Sequence, residues 1–537
     1  MAATSKDAQV YEHRVEDIEK DIGSITSSEI RPAAGIDAEV AEFFATQSDG
    51  HIEIDEATNK RLRMMIHKRV LVVMVVTYFA QTLDKGTINF ASIMGIVQDT
   101  HLVGQQYSWL TTCVYIAVLI WEFPTNRLIQ RLPIAKYLSF NIAAWGAVLA
   151  CTAVCHNFTG LVIVRTLLGV FECVCQPAFV FLSTMWYTRE EQALVIGAFY
   201  SMNGFQQCVG GLIAYGISQI QGAAIKNWQI LFLLLGCATF VWGLFVGFWL
   251  PDSPMRAKCF SKEDRILMAE RVRKNETGIQ NKEFKASSAS PLLPDHWYQV
   301  REALTDPVVL SVTLISFTNG MPTGGLGAFS NIIIQAFGFT MLQTYLLAIA
   351  QGAIIMTFLF SGAYLSKKYN QKIILAIIYT LPNIIGTIVF LIVPTRADTK
   401  VGLLISFYLT MAFGAVSVLN LAVMSNNVAG RTKQVMASSL VFIAWAVGNA
   451  VGPQVFRDHD KPRYINAFIA HMVVYVLQIV VLVFLRAYLM RQNVLKRRAA
   501  ALRETAANGE APDEQLGHNH AFDDLTDKEN PDFRYTY

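Results

Sequence analysis

Apolar runs of membrane-spanning length recur along most of the chain, separated by short polar stretches. A helix that crosses a bilayer needs roughly 20 consecutive, mostly apolar residues. This pattern predicts twelve such helices, called spans one to twelve below. They are centred in segments 69–91, 107–127, 135–156, 159–186, 192–219, 228–250, 308–336, 342–365, 372–393, 402–427, 434–455 and 465–489.

One long polar connector, residues 251–306, separates the first six spans from the last six. The predicted fold is therefore an all-α integral membrane protein with two six-helix halves, residues 66–250 and 307–490. Polar and charged residues dominate both tails. We expect the N-terminal tail, residues 1–65, to be largely disordered and the C-terminal tail, residues 491–537, to be disordered, because neither can bury much apolar surface.

The composition agrees with a lipid environment. The chain is 53% hydrophobic and 16% charged, and its mean hydropathy of +0.37 is high for a soluble protein of this length. The net charge is only +3 and the basic residues form short clusters, so we expect no nucleic-acid partner. Most of the 8 cysteines lie inside apolar runs, so neither a disulfide framework nor a metal site is expected.

The loops between spans differ in their content of lysine and arginine. The loop after span two carries Arg127, Arg131 and Lys136, whereas the loop after span one, residues 98–106, carries neither residue type. Cytoplasmic loops of membrane proteins are enriched in these cations. We therefore expect both tails and the connector to be cytoplasmic. The N-terminal tail lacks the apolar core of a signal peptide, so span one is expected to direct insertion.

Two spans carry charged residues well inside their apolar runs. Span one contains the adjacent residues Asp84 and Lys85, and span four contains Arg165 and Glu172. Each charge near the middle of a bilayer costs about 2.5–3.5 kcal/mol on insertion scales, so such residues usually face a partner or a water-filled cavity. Because adjacent residues point about 100° apart around a helix, Asp84 and Lys85 need separate partners.

The depths of these residues suggest how they pair. Asp84 lies about 22 Å along an outward-running span one and Arg165 about 10 Å along an inward-running span four, so the two lie at similar depth in a core of about 30 Å. We expect Arg165 to be the partner of Asp84. Glu172 lies two turns beyond Arg165 on the same face. The alternatives are pairs that only fix helix packing, and a Lys85 that extends to the membrane interface.

This arrangement suggests coupled movement of an anion and a proton. Whether a buried carboxyl group holds a proton depends on which cation is beside it. An anion that binds Lys85 and Arg165 would release Asp84 or Glu172 to take up a proton. Asp84 and Glu172 are therefore the candidate proton-coupling residues, and Lys85 and Arg165 the candidate substrate-binding residues.

Further polar or helix-breaking residues occur in spans five and seven. Asn203 shares a helix face with Gln206 and Gln207, so these amides are candidates for substrate binding or for hydrogen bonds between helices. Span seven contains the Gly- and Pro-rich stretch 320–327. That stretch predicts either a broken helix that lines a cavity or glycines that allow close helix packing.

Several motifs resemble those of a known family. "LDKGTINFASIMG", "RTLLGVFECVCQPAF" and "NVAGRTKQVMASSLVFIAWAVGNAVGPQ" resemble the major facilitator superfamily, and more narrowly the fungal allantoate permease branch of its anion:cation symporter family. The resemblance implies the major facilitator fold and transport by alternating access. It also implies proton and carboxylate roles for Asp84, Lys85, Arg165 and Glu172, in agreement with the residue-level argument.

The loop after span two, "NRLIQRLPIAK", resembles the superfamily's loop motif, which usually has an aspartate before its arginine. Asn126 stands at that position here. We therefore expect Arg127, Arg131 and Lys136 to act in gating through contacts at helix ends, and not through a salt bridge to an acid of their own loop.

The resemblance implies a secondary active transporter that moves a small organic carboxylate, such as allantoate, ureidosuccinate or a vitamin-like acid, together with a proton across the plasma membrane. A monomer without cofactors is expected. An enzyme is not expected, because the sequence has no metal-binding or nucleophile motif. Two alternatives are an exporter of an acidic secondary metabolite and a nutrient sensor that does not transport.

Overall fold

The structure, a computed structural model, describes residues 54–273, 297–506, 526–530 and 533–537, and within them it is helical without strands. Twelve membrane-spanning helical segments occur there, where the hydrophobic pattern predicts them. The first six spans are Val72–Ile93, Gln106–Arg131, Ile134–Cys151, Phe158–Glu172 with Cys175–Trp186, Arg189–Tyr200 with Met202–Ser218, and Asn227–Trp249. The last six are Pro307–Ala336, Met341–Tyr369, Lys372–Ile392, Lys400–Leu409 with Phe413–Asn427, Arg431–Val451, and Ile465–Ala506.

The spans differ in how apolar they are. Eight of them are long and apolar enough to cross a membrane by length and composition alone. Spans one, two, five and seven are interrupted by polar side chains, among them Asp84, Glu122 and Gln206. Polar residues are tolerated at such depth where they face a partner or a cavity. Span four is apolar enough to cross a membrane by composition, yet it also carries the buried Arg165 and Glu172.

A helix precedes span one in a region that was expected to be mostly disordered. Helix Glu56–Ile66 continues through a π-helical turn, His67–Leu71, directly into span one. Leu62 and Ile66 are fully buried against the first half, and this apolar face explains why the segment is ordered. The rest of the predicted tail, residues 1–53, lies outside the described residues.

The connector contains a helix, Lys262–Arg273, that packs against the first half. Its Arg271 side chain is 3% exposed and forms an ion pair with Glu191 at the start of span five. Arg271 also donates a hydrogen bond to Asn59 of the helix before span one. The connector helix thus joins two elements of one half. Residues 274–296 lie outside the described part of the chain.

Glycines allow close contact between spans. A Cβ atom on Gly324 would lie 2.3 Å from the Asn449 carbonyl oxygen, and one on Gly352 would lie 2.5 Å from the Gly204 carbonyl oxygen. Span seven itself is one continuous helix, Pro307–Ala336, with a proline inside it. Of the two interpretations of its glycine-rich stretch, close packing is therefore confirmed and a broken helix is wrong, because these small residues let neighbouring backbones approach.

The two halves contact each other from the middle of the bundle to one end, which we call the far end. There Asn89 donates a hydrogen bond of 2.7 Å to Ser330 and accepts one of 3.0 Å from the backbone of Asn331. Tyr107 donates to the Ala328 carbonyl oxygen at 2.8 Å. The hydrogen bonds and ring contacts between the halves in the described residues all lie in this part, so the halves close the far end.

At the opposite, near end a C-terminal segment packs against the second half. We call residues 526–530 and 533–537 the C-terminal strap. Tyr535 is 5% exposed and donates a hydrogen bond of 2.8 Å to Asp527. Burial and the neighbouring Asp527 carboxylate raise the pKa of Tyr535, so its hydroxyl remains a donor. Asn493 and Asn427 bind backbone groups of the strap from spans twelve and ten.

A buried lysine anchors the strap. Lys433, at the start of span eleven, is fully buried and its Nζ lies 2.9 Å from Glu302 and 2.6 Å from Asp527. It also contacts Asp306, which precedes span seven. The spacing of the three carboxylates would suit a metal ion, but the Lys433 ammonium already contacts all of them. The cluster therefore joins the strap to the starts of two spans by ion pairs.

These contacts differ from the expectation that residues 491–537 are disordered. Span twelve continues as a helix to Ala506, and the strap is packed. The polar composition of this region misled the prediction, because Asp527 and Tyr535 are stabilised by partners distant in sequence. Residues 507–525 lie outside the described part.

Replacing Asp527 by asparagine is expected to lower the melting temperature of the protein by several degrees. The substitution removes a charge-assisted hydrogen bond to buried Lys433, and such bonds contribute about 1.5–3 kcal/mol. Asp458→Asn is the matched control, because it removes an exposed ion pair to Lys461, which should contribute at most about 1 kcal/mol. Thermal unfolding of the purified protein in detergent measures both. Equal melting temperatures for the two variants would contradict this account of the strap.

Candidate functional site

The charged residues of spans one and four come together inside the first half. Lys85 Nζ lies 3.4 Å from Glu172 Oε1, and the side chains are 29% and 0% exposed. Lys85 therefore faces a buried carboxylate of a neighbouring span and does not extend to the interface. Neither Glu172 oxygen has a hydrogen-bond partner among the described residues, so within this part of the chain Lys85 is its ion-pair partner and the main compensation for the buried charge.

A break in span four positions Glu172. Helix Phe158–Glu172 ends at this residue and a second helix begins at Cys175. The Glu172 carbonyl oxygen accepts a hydrogen bond of 3.2 Å from Gln81 of span one. Because the carbonyl oxygens at a helix end lack intrahelical partners, this bond satisfies one of them and fixes span one against span four beside the ion pair.

Asp84 has different partners from the one expected. Its side chain is 1% exposed, and Oδ2 accepts hydrogen bonds from the Trp145 indole at 2.6 Å and from the Thr239 hydroxyl at 3.3 Å. Oδ1 has no partner in the described structure. The ion pairs of the described residues do not include the expected one with Arg165. The carboxyl group instead points towards spans three and six, which supply these two donors.

Arg165 is a buried cation with free donors. It is 2% exposed, and its guanidinium carbon lies 5.2 Å from the ring centroid of Phe232. Its Nε and Nη2 are buried without hydrogen-bond partners among the described residues. Unpaired buried donors are costly. The planar guanidinium can bind a carboxylate through two parallel hydrogen bonds, so an anion is the ligand that these groups fit best.

Gln206 lies beside the charged turn of span one. A Cβ atom on Gly86, the residue after Lys85, would lie 3.0 Å from Gln206 Oε1. This oxygen is buried and has no hydrogen-bond partner in the described residues. Gln206 thus offers a free acceptor beside Lys85.

The other two amides hold helices together. Asn203 donates a hydrogen bond of 3.1 Å to Tyr78 of span one. Gln207 donates one of 3.3 Å to Gln351 of span eight, across the two halves. Both amide groups are thus engaged in contacts between helices.

The three basic residues of the span-two loop lie apart from this cluster, at the near end. Arg127 and Arg131 are exposed and have no ion pair with a described residue. Lys136 donates to the carbonyl oxygen of Gly247, which ties span three to the end of span six. In this conformation Lys136 therefore contacts its own half, and the structure brings none of the three to the charged cluster.

Three residues of this region escaped the sequence analysis. Glu122 is half-buried in span two without an ion pair among the described residues, and an acid within the run "AVLIWEFP" was a signal that could have found it. Trp145 and Thr239 carry no such signal, because aromatic and hydroxyl side chains are common in apolar spans. Only the structure shows that both donate to Asp84.

Comparison with known proteins agrees with the fold and the motifs. The Major Facilitator Superfamily profile matches residues 74–453. The Thiamine pathway transporter THI73 of Saccharomyces cerevisiae is 35% identical over 463 residues, which cover 86% of this chain and 83% of that protein. The Allantoate permease of the same yeast is 30% identical over 498 residues, covering 90% and 88%.

Solved structures share the architecture at low sequence identity. A bacterial homolog of the human lysosomal transporter Spinster, crystallised in an inward-facing conformation, superposes with a TM-score of 0.58 at 15% identity. The match covers 79% of this chain and 96% of the bacterial one. At this identity the similarity concerns the fold alone.

Proposed function

The chain belongs to the major facilitator superfamily, and on that premise we propose that it is a proton-coupled symporter of a small organic carboxylate. As a member it is a multi-pass membrane transporter and not an enzyme. The observation that supports the finer proposal is the buried Arg165, whose free N–H donors lie in the same half as the buried carboxyl groups of Asp84 and Glu172.

The proposed substrate class follows from charge and from the relatives. Lys85 and Arg165 provide two cations within the membrane domain, and a carboxylate is the anion whose geometry matches a guanidinium. A relative that is 30% identical is named Allantoate permease. Allantoate, ureidosuccinate and vitamin-like acids are therefore the substrates to examine first, with Gln206 as a further contact through its free amide oxygen.

Coupling would arise from competition for the cations. When a substrate carboxylate binds Lys85 and Arg165, Glu172 loses the compensation that Lys85 gives it at 3.4 Å. An unpaired carboxylate at a fully buried position is costly, so the group takes up a proton. The charges of the bound carboxylate and of the added proton cancel, so the loaded site carries no more net charge than the empty one, and one half can move against the other without an added electrostatic cost. Release of substrate lets Lys85 return to Glu172 and expels the proton.

We further propose the orientation that the loop charges favour, in which both tails and the connector are cytoplasmic. The proposed membrane is the plasma membrane, which the resemblance of the sequence motifs implies. The far end, closed by Asn89 and Tyr107, then faces the exterior. The conformation described above is accordingly open towards the cytoplasm, and Arg127 and Arg131 would close the near end in the opposite state. The proposed transporting unit is the monomer.

Uptake into liposomes that contain the purified protein tests this function. With an acidic exterior, a labelled monocarboxylate should accumulate inside up to about tenfold for a pH difference of one unit, because one unit corresponds to about 1.4 kcal/mol. A protonophore should abolish the accumulation. The neutral amide of the same acid is the matched control and should not accumulate. Accumulation only when the lumen is acidic would indicate proton antiport, and thus export, and equal levels with and without a gradient would contradict proton coupling.

A further inference from the structure

The Trp145 side chain of span three is held firmly in contact with Asp84. The indole is fully buried and its N–H donates to Asp84 Oδ2 at 2.6 Å. The neighbouring Gly146 packs so closely on span six that a Cβ atom there would lie 2.4 Å from the Phe240 backbone nitrogen. Because spans three and six touch at backbone level, Trp145 and Thr239 are held as a fixed pair of donors for one carboxyl oxygen.

Asp84 and Arg165 are both incompletely satisfied. Asp84 Oδ1 and Arg165 Nε and Nη2 are buried without hydrogen-bond partners among the described residues. Buried polar groups usually have a partner, and a carboxylate with a guanidinium is a complementary pair. Asp84 therefore has two possible sets of donors in this half. One, Trp145 with Thr239, is in use here, and the other, Arg165, is not.

The charges around Asp84 come from few elements. Arg165 and Glu172 of span four interact with it electrostatically, and Lys85 follows it on its own helix and pairs with Glu172. Spans three and six face it with the uncharged donors described above. Tyr115 and Glu122 of span two and Tyr200 of span five face Lys85. Cys175 of span four faces both Asp84 and Lys85.

We propose that Trp145 is a positioning residue for transport: its indole N–H holds the Asp84 carboxyl group away from Arg165 and so keeps the guanidinium available to the substrate. The inference rests on the proposed symport function. Without the indole donor, an ionised Asp84 turns to Arg165 and competes with the substrate carboxylate. At acidic pH Asp84 is protonated and no longer competes. The effect of losing the donor is therefore predicted to depend on pH, which a loss of packing would not produce.

The test compares Trp145→Phe with a matched control in transport assays at two pH values. Trp145→Phe should raise KM about tenfold at pH near 7.5, as expected for about 1.4 kcal/mol of competition, and by less than about twofold at pH near 5. Trp242→Phe is the control, because Trp242 also donates to span one, but to the neutral Thr77 hydroxyl at 2.9 Å. In an Asp84→Asn background, Trp145→Phe should have no further effect on KM, since the competing carboxylate is absent.

A second readout does not depend on transport. The infrared carbonyl band that Asp84→Asn removes reports protonation of Asp84 directly. In Trp145→Phe the pH midpoint at which this carbonyl band appears should shift to lower pH, because Arg165 favours the charged carboxylate. In Trp242→Phe the midpoint should not move. A KM increase that is equal at both pH values, or a midpoint that stays or rises, would overturn the proposal. If wild-type protein accumulates no carboxylate, the symport function fails, and the infrared titration still decides the position of Asp84.

Discussion

Substitution of Arg165 by lysine is expected to reduce carboxylate uptake at least about 100-fold. Lysine keeps the charge but cannot present two parallel N–H groups. The loss of one hydrogen bond of the bidentate pair, at the upper end of about 1.5–3 kcal/mol for a bond to a charged ligand, accounts for an effect of this size. Arg165 is also 2% exposed, so water cannot easily replace the missing donors. Initial uptake rates and substrate-induced thermal stabilisation of purified protein measure the loss of transport and of binding.

Arg463→Lys is the control for this substitution. Arg463 donates to the carbonyl oxygens of Phe390 and Val393 at 2.9 and 2.7 Å in the second half, so it is a partly buried arginine away from the charged cluster. We expect it to retain most of the uptake. If Arg165→Lys transported and bound substrate as well as Arg463→Lys does, the assignment of Arg165 to substrate binding would be wrong.

Replacement of Glu172 by glutamine is expected to abolish acid-driven accumulation and to leave exchange of substrate across the membrane measurable. Glutamine resembles the protonated acid but can neither release nor take up a proton. Substrate should therefore reach equal concentrations on both sides, a loss of about tenfold in accumulation for a gradient of one pH unit. Asp84→Asn is expected to behave in the same way. Accumulation under a pH gradient and counterflow of labelled against unlabelled substrate are measured on the same liposomes.

Glu122→Gln provides the comparison for these variants. Glu122 is half-buried in span two but has no proposed part in coupling. This variant should keep most of the accumulation that the wild type shows. Glu172→Gln protein that still concentrates substrate under the acid gradient would exclude Glu172 as the coupling residue.

Much of the fold could be predicted because each spanning helix is determined by the residues of its own segment. Lipid requires an apolar run of a certain length, and the runs predicted all twelve helices, including span four, whose break beside Glu172 does not interrupt its hydrophobic pattern. The C-terminal strap could not be predicted in this way. Its order depends on Lys433 and Asn493, which lie far from it in sequence, and composition alone does not reveal such partners.

The sequence predicts which residues form the candidate site better than it predicts which partners those residues contact. Charge inside an apolar run marked Asp84, Lys85, Arg165 and Glu172, and helix geometry required separate partners for Asp84 and Lys85, as the structure shows. The identity of those partners depended on side-chain direction. Depth along the helices suggested Arg165 as the partner of Asp84, but the carboxyl group points towards Trp145. In the sequence, a tryptophan in an apolar span cannot be distinguished from one that only packs against lipid or neighbouring helices.

The buried Lys433 also has a consequence for biogenesis. It meets Asp527, which follows it by 94 residues, and a ribosome that adds about 5–20 residues per second needs about 5–20 s to synthesise that distance. During this interval the Lys433 ammonium of the nascent second half lacks one of its three carboxylate partners, Asp527. The near end of the second half can therefore complete its ion pairs only after the strap has been synthesised. A chain released before that point would keep Lys433 without Asp527, and quality-control factors could recognise this incompletely paired lysine.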